Sequence, residues 1–240
     1  MSPDLRQHRG AHPADKKLFG DAQLPVLRAS VEELSWLSSH GYSMKAAVKL
    51  VGDRHELTER QRLAVARAAC SDASRTTRLS SLVAIEAAVG EELVIDGFNL
   101  IISIEAALGS GVLLWCRDDC IRDLSSVHGS YRAVDETNAA IGIIGEALES
   151  LKPASVEWIL DKPISNSGRL ATRIRDLAVE RRWPWTVELL FNPDNYIASS
   201  SRIAITSDSV ILDRVARWVN FKREVIEQRI GESWMVDLRV

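Results

Sequence analysis

From Glu91 onward the chain alternates short apolar runs with longer stretches of helical periodicity, and three of the apolar runs lead into an aspartate. The runs are Leu93–Ile95, Val112–Trp115, Val156–Leu160, Val187–Phe191 and Ile203–Ile205, and the helical stretches are Asp135–Leu151, Gly168–Arg182 and Ser209–Val219. Apolar runs this short, bounded by turn-forming residues, suit strands covered on both faces. Their alternation with helices argues for an α/β domain with a mainly parallel sheet flanked by helices. Ligands of such sheets sit beyond the carboxyl ends of the strands, so the residues that finish each strand are the first candidates for a site.

The preceding segment has a different period. Leu24, Leu27, Val31, Leu34 and Leu37 recur at spacings of three and four and mark one face of a helix, which Gly41 is placed to stop. A second helix is expected from Ser43 to Val51, and Thr58 with Gln61 reads as a capping box opening a third. Residues 1–78 therefore form a small all-α bundle that resembles a helix-turn-helix. Arg60, Arg62 and Arg67 of its third helix either contact phosphates or form a solvated face. Ser71–Arg78 is polar and reads as the boundary. A short connecting helix over Leu79–Val89 then leads into an α/β domain spanning 79–240.

Composition narrows the function. With 240 residues, 46% apolar and 26% charged, the chain can bury a substantial core, and its net charge of −3 does not by itself announce a polyanion partner. The basic charge is local: Lys45 to Arg78 holds two lysines and six arginines against four acidic residues. No apolar run approaches the ~20 residues that span a bilayer, and residues 1–20 lack the apolar stretch of a secretory leader, so a cytoplasmic protein with no membrane partner is expected. Cys70, Cys116 and Cys120 are odd in number and fit buried thiols better than a zinc site, although Cys116 and Cys120 have the spacing of half of one. Walker-type, GxGxxG and HExxH motifs are absent.

Asp96 follows Leu93-Val94-Ile95 directly, with Gly97 to allow a tight turn and Asn99 to fix the loop. Asp161 follows Val156–Leu160, and Asp208 follows Ile203–Ile205 by way of Thr206-Ser207. Asp194 lies in the connection before that last strand. One aspartate ending a strand is ordinarily a turn former or a helix cap. Several converging on one sheet edge repel one another unless a cation is bound, and oxygen ligands of this kind suit Mg²⁺ or Mn²⁺.

Ile95-Asp96-Gly97-Phe98-Asn99 resembles the opening strand of PIN and NYN nuclease domains, whose "DGYN"-type motif carries a metal-binding carboxylate, and Thr206-Ser207-Asp208 resembles their "TSD" segment. Pro193-Asp194-x-x-Ile197 is similar to the "AD-x-x-I" helix start of NYN ribonucleases, with proline in place of alanine, and Ile159-Leu160-Asp161 is similar to their middle "FD". Val112–Ser125 looks like an insertion. The whole chain also resembles an uncharacterised prokaryotic family that joins a helical domain to a PIN-like one. The resemblance implies a PIN-like fold and metal-dependent hydrolysis of phosphodiester bonds, in RNA by analogy. Asp96 and Asp208 would hold the ion, Asp161 and Asp194 would complete its ligands or hold its waters as part of the catalytic set, and Asp213 would reach the same metal-binding rim, while Asn99 and Ser207 would orient the carboxylates.

Further candidates flank this set. Arg117, Asp118, Asp119, Arg122 and Asp123 read as a surface ion-pair network, with a phosphate clamp as the alternative. His128, Tyr131 and Arg132 have the spacing of one helical face and could hold a phosphate and stack on a base. Arg169 and Arg173 stand one turn apart where a helix begins after Asp161. The expected activity is a Mg²⁺- or Mn²⁺-dependent nuclease acting on nucleic acid, with a homo-oligomer left open. The rivals are a PIN-like module that binds nucleic acid or protein without turnover and a small-molecule phosphohydrolase.

Overall fold

The computed structural model describes residues 7–125 and 129–240. Five helices come first: α1 (Asp15–Leu18), α2 (Leu24–Ser39), α3 (Met44–Arg54), α4 (Glu59–Ala68) and α5 (Asp72–Ser81). There follow β1 (Leu82–Val83), β2 (Glu92–Asp96), α6 (Gly97–Leu108), β3 (Leu113–Trp115), β4 (Ile121–Asp123), α7 (Thr137–Leu151), β5 (Ser155–Asp161), α8 (Ser167–Arg181) and β6 (Trp185–Leu190). The chain closes with α9 (Pro193–Ala198), β7 (Ile203–Ile205), α10 (Ser209–Leu212), β8 (Trp218–Val219), α11 (Phe221–Arg229) and β9 (Met235–Asp237).

Six strands form a parallel sheet in the order β1-β8-β7-β2-β5-β6. Alternate residues of each strand face opposite layers. Leu93 and Ile95 join Val156, Trp158 and Ile203 in a core shared with α6, α7, α8 and α11, whereas Val94, Ile159, Ala204 and Trp218 pack with α9 and α10. Both faces are covered, which is why these strands read as continuous apolar runs. The α/β expectation holds.

The small second sheet, β4-β3-β9, joins the two halves of the molecule. Leu113 and Ile121 point into the large core, while Val112, Leu114, Cys116 and Leu238 pack with Leu27, Val31, Leu34 and Val65 of the helices. The run Val112–Trp115, expected in the main sheet, instead pairs with β4 and with β9 from the far end of the chain. The helical segment thus has no closed core of its own. Each fully buried leucine or valine at this seam contributes about 1.5–3 kcal/mol.

Local signals in the helical segment behave as their chemistry dictates. The Thr58–Gln61 capping box forms, and Gly41 takes a φ of +82° after α2. The polar boundary Ser71–Arg78 is in fact the N-cap and most of α5, because the Ser71 hydroxyl accepts the Ser74 N–H at 3.1 Å, and the expected connecting helix gives way to the edge strand β1. The helix expected over Ser209–Val219 stops at Leu212, since Trp218 is drawn into the sheet as a fully buried residue.

Two of the α4 arginines considered for phosphate contact have partners within the chain. Arg60 is bound to the buried carboxylate of Asp15, and Arg62 donates to the Leu57 carbonyl at 2.9 Å and pairs with Asp53 at 2.8 Å. The two arginine side chains remain 30% and 26% exposed. The helix lies against the small sheet, because Ala64, Val65 and Ala68 must be buried there. No helix among the described residues is long and apolar enough to cross a membrane.

Candidate active site

β2, β5 and β7 are neighbours, so their carboxyl ends lie side by side. Asp96 ends β2 and caps α6, accepting the Asn99 N–H at 3.4 Å. Asp208 caps α10, accepting the Val210 N–H at 2.8 Å and the Ile211 N–H at 3.3 Å. Thr206 ties the two turns together: its hydroxyl donates to Asp96 Oδ2 at 2.8 Å and accepts the Asp208 N–H at 3.0 Å. Asn99 makes a second tie, its Oδ1 accepting the Ser207 N–H at 2.9 Å, the Ser207 hydroxyl at 3.0 Å and the Lys222 ammonium at 2.8 Å. Lys222, at the start of α11, also donates to Ser207 Oγ at 2.5 Å. Asn99 and Ser207 therefore lock the two aspartate turns to each other.

Gly97 is needed where β2 turns into α6. A Cβ there would stand 2.6 Å from Leu160 Cδ2 and 3.0 Å from the Ile159 carbonyl oxygen. Gly97→Ala is expected to cost about 1–3 kcal/mol in urea unfolding through this overpacking, and a cost below about 0.5 kcal/mol would show that the turn is slack.

The carboxylates feel one another. Burial raises Asp96 to about 7, with the charge of Asp208 adding to the rise and Thr206 and Lys222 opposing it. Burial lowers Lys222 to about 8 against the pull of Asp123 and Asp96. Asp194 is raised by burial and by Asp208, and Asp161 by burial and by Asp194. The four aspartates thus form a chain of like charges along one rim.

They are not equivalent in position. Asp96 is in register with Ile159, so β5 carries Asp161 two residues, about 7 Å, further out, and Asp161 stands beside Asp194 rather than in the cleft with Asp96. Asp213 does not join the ion set: Arg78 takes both of its oxygens, at 2.7 and 3.1 Å. No group of three His, Cys, Asp or Glu close enough to hold a metal ion occurs among the described residues.

The cleft has a volume of about 830 Å³, with Asp96, Asp194 and Asp208 on one wall and Tyr42, Met44 and Ser71 of the helical segment among the residues of the other. The charges of the β3–β4 hairpin, expected at the surface, are largely internal. Asp118 is buried, bound by Arg78 at 2.6 Å and by Arg122 at 2.6 and 2.8 Å, and against the cost of burial these guanidiniums hold it well below the usual carboxylate range. Arg122 reaches on to the Ser207 carbonyl at 2.8 Å. The hairpin is enclosed because it sits between the helices and the large sheet. Cys70, Cys116 and Cys120 are free and buried.

Tyr131 is not available for stacking on a base, because it is buried and its hydroxyl donates to the buried Glu105 at 2.6 Å. His128 lies outside the described residues. Arg132, Arg169 and Arg173 do come together, lining a groove of about 280 Å³ beside Tyr131. Sequence reasoning missed the roles of Thr206, which lay inside the quoted "TSD" segment, and of Lys222, for which a lysine in a polar helix gives no signal.

Residues 85–224 match the family model described as Domain of unknown function (DUF5616), and residues 26–80 match that described as Protein of unknown function (DUF434). The chain belongs to the DUF5616 family. The uncharacterized protein MJ0935 of Methanocaldococcus jannaschii is 30% identical to it over 198 residues, covering 82% of this chain and 94% of its own length. No solved structure matches. Asp96, Asp161, Asp194, Asp208 and Lys222 fall within the DUF5616 segment, and Arg67, Cys70 and Arg78 within the DUF434 segment, so the cleft is walled by both.

Proposed function

We propose that this DUF5616 protein is a Mg²⁺- or Mn²⁺-dependent nuclease that hydrolyses phosphodiester bonds, with RNA as the substrate and Asp96 and Asp208 as the carboxylates that hold the ion. The observation that carries the reading is the pair itself: two strand-end carboxylates cross-tied by Thr206 and Asn99, with Asp96 raised to about 7 in part by the charge of Asp208. Repulsion between these carboxylates, only partly offset by Lys222, favours a cation. The donors fit a hard ion in type, and Mg²⁺ is commonly held by one or two carboxylates, waters and substrate phosphate oxygens, so a cage of three protein groups is not required.

The ion would supply charge neutralisation at the phosphate and a water of lowered pKa. The chain's own contribution is geometric. Thr206 fixes Asp96 Oδ2, the α10 N–H groups fix Asp208, and Lys222 locks the Asn99–Ser207 tie from behind. Asp194, on the same wall, would hold waters near the phosphate, and the Arg132–Arg169–Arg173 groove would hold flanking phosphates.

Asp208→Asn is expected to lower Mn²⁺-dependent cleavage of a mixed RNA pool by about 10³-fold while the far-UV spectrum is unchanged. Undiminished cleavage would remove the assignment. A second reading, a module that binds nucleic acid without cutting it, is favoured by the lack of a three-group cluster among the described residues. Retention of RNA with no cleavage under any divalent ion would establish that reading in place of the first.

A further inference from the structure

We infer that Phe191, with Lys162 against its ring, is a stacking platform for a base of a single-stranded nucleic acid that enters the acidic rim from the β6 side. The inference rests on the nuclease reading and adds a substrate class to it.

Phe191 directly follows β6 and is 74% exposed, although a buried position would stabilise it by a few kcal/mol. Single exposed apolar residues are ordinary, so exposure alone carries little. Position and partners carry the rest. The last residue of β6, Leu190, is in register with Asp161, and its carbonyl accepts the Lys162 N–H at 2.8 Å, so Phe191 emerges at the strand ends where the rim begins. Asp194 is three residues further on, and its charge reaches both Asp161 and Asp208. The Lys162 ammonium lies 4.7 Å from the Phe191 ring centroid.

A cation held against an open aromatic face beside a row of carboxylates is suited to a strand that brings a flat base and a phosphate together. The loop that begins with Lys162 leads into α8, whose Arg169 and Arg173 line the arginine groove, so positive charge continues on the same side. Stacking on an aromatic side chain tolerates any base and requires it to be unpaired, which selects single strands over duplexes.

The test uses the full chain in EDTA, so that binding is read without cleavage, and the anisotropy of a labelled short oligouridylate and of the same strand with abasic spacers. Phe191→Ala is expected to raise Kd for oligouridylate about 10-fold, Phe191→Trp to restore it, and the abasic strand to bind wild type and Phe191→Ala alike. An unchanged Kd in Phe191→Ala, equal losses for both strands, or no binding by wild type would each overturn the proposal; the first is also what a protein-docking role for the ring would give. The nuclease reading fails separately. Cleavage lost in Asp208→Asn with binding intact in Phe191→Ala removes the platform alone, and the reverse pattern removes the nuclease alone.

Discussion

Asp96→Asn is expected to abolish metal-dependent cleavage and, at the same time, to make the protein more stable above neutral pH. The activity loss should be at least about 10³-fold, because an amide cannot supply the charge that holds the ion. The stability gain follows from proton linkage. Burial holds Asp96 at about 7 in the folded chain, against about 3.9 for an aspartate in the unfolded one. Between those values the folded state binds more protons than the unfolded state, so the stability present below about pH 4 is lost as pH rises through about 7.

Asparagine carries no such dependence. At about pH 8 the variant should therefore exceed wild type by roughly 1–3 kcal/mol in urea unfolding, and near pH 4 the two should converge. The gain falls short of the whole shift, since Asp96 is partly open to the cleft and Lys222 loses a counter-charge. Mn²⁺ should raise the Tm of wild type at about pH 8, with a smaller effect near pH 5 where protons compete, and should leave the variant unmoved. A variant no more stable than wild type at alkaline pH would show that burial does not hold the Asp96 carboxyl above its unfolded value.

Asp118→Ala should have the largest effect on folding. It leaves the buried Arg78 and Arg122 without their shared partner, and truncating one member of a buried ionic network typically costs about 3–5 kcal/mol. For a chain of this size the corresponding fall in Tm is roughly 6–20 °C. Damage should extend to the cleft, since Arg122 holds the Ser207 carbonyl and the Arg78 carbonyl accepts the Trp218 indole N–H at 2.7 Å. Adding Arg122→Met to Asp118→Ala should recover part of the loss by removing one stranded charge. A cost under about 1 kcal/mol, measured by urea unfolding, would mean that water reaches the network and that the two segments are held together by their apolar seam alone.

What could be read in advance differs from element to element for physical reasons. β2 and β7 were visible as apolar runs because each is covered on both faces, and β7 coincides with the run Ile203–Ile205; β5 and the edge strand β6, whose Thr186 and Glu188 are exposed, were visible from their other apolar residues. The capping box at Thr58 is a local exchange of two hydrogen bonds and needs nothing distant. In contrast, α6 is buried on nearly all sides, from Phe98 to Ala107, so it carries no amphipathic stripe to mark it as a helix. The run at Leu113 announced a strand without saying which sheet, because its partner β9 lies more than a hundred residues away.

The candidate site divides in the same way. That Asp96 and Asp208 follow strands of one sheet was expected from the apolar runs before them, and their pairing, with Asn99 and Ser207 at the two turns, from the PIN/NYN resemblance; that β2 and β7 are neighbours is seen only in the structure. Three matters depended on coordinates. Register sets Asp161 two residues beyond Asp96, and Arg78 from the helical segment claims Asp213. Lys222 arrives from a helix near the end of the chain to close the tie behind Asn99.

By itself the sequence determined the layers, the strands β2, β5, β6 and β7, and which turns would carry carboxylates, because these depend on periodicity and on hydrogen bonds between near neighbours. Only the tertiary structure decided which charges are buried and paired, as with Asp118, Arg122 and Lys222, and that the helical segment forms a wall of the cleft. Burial and ion pairing arise from surfaces far apart in the chain that meet only on folding, and no local pattern of residue types records where those surfaces come together.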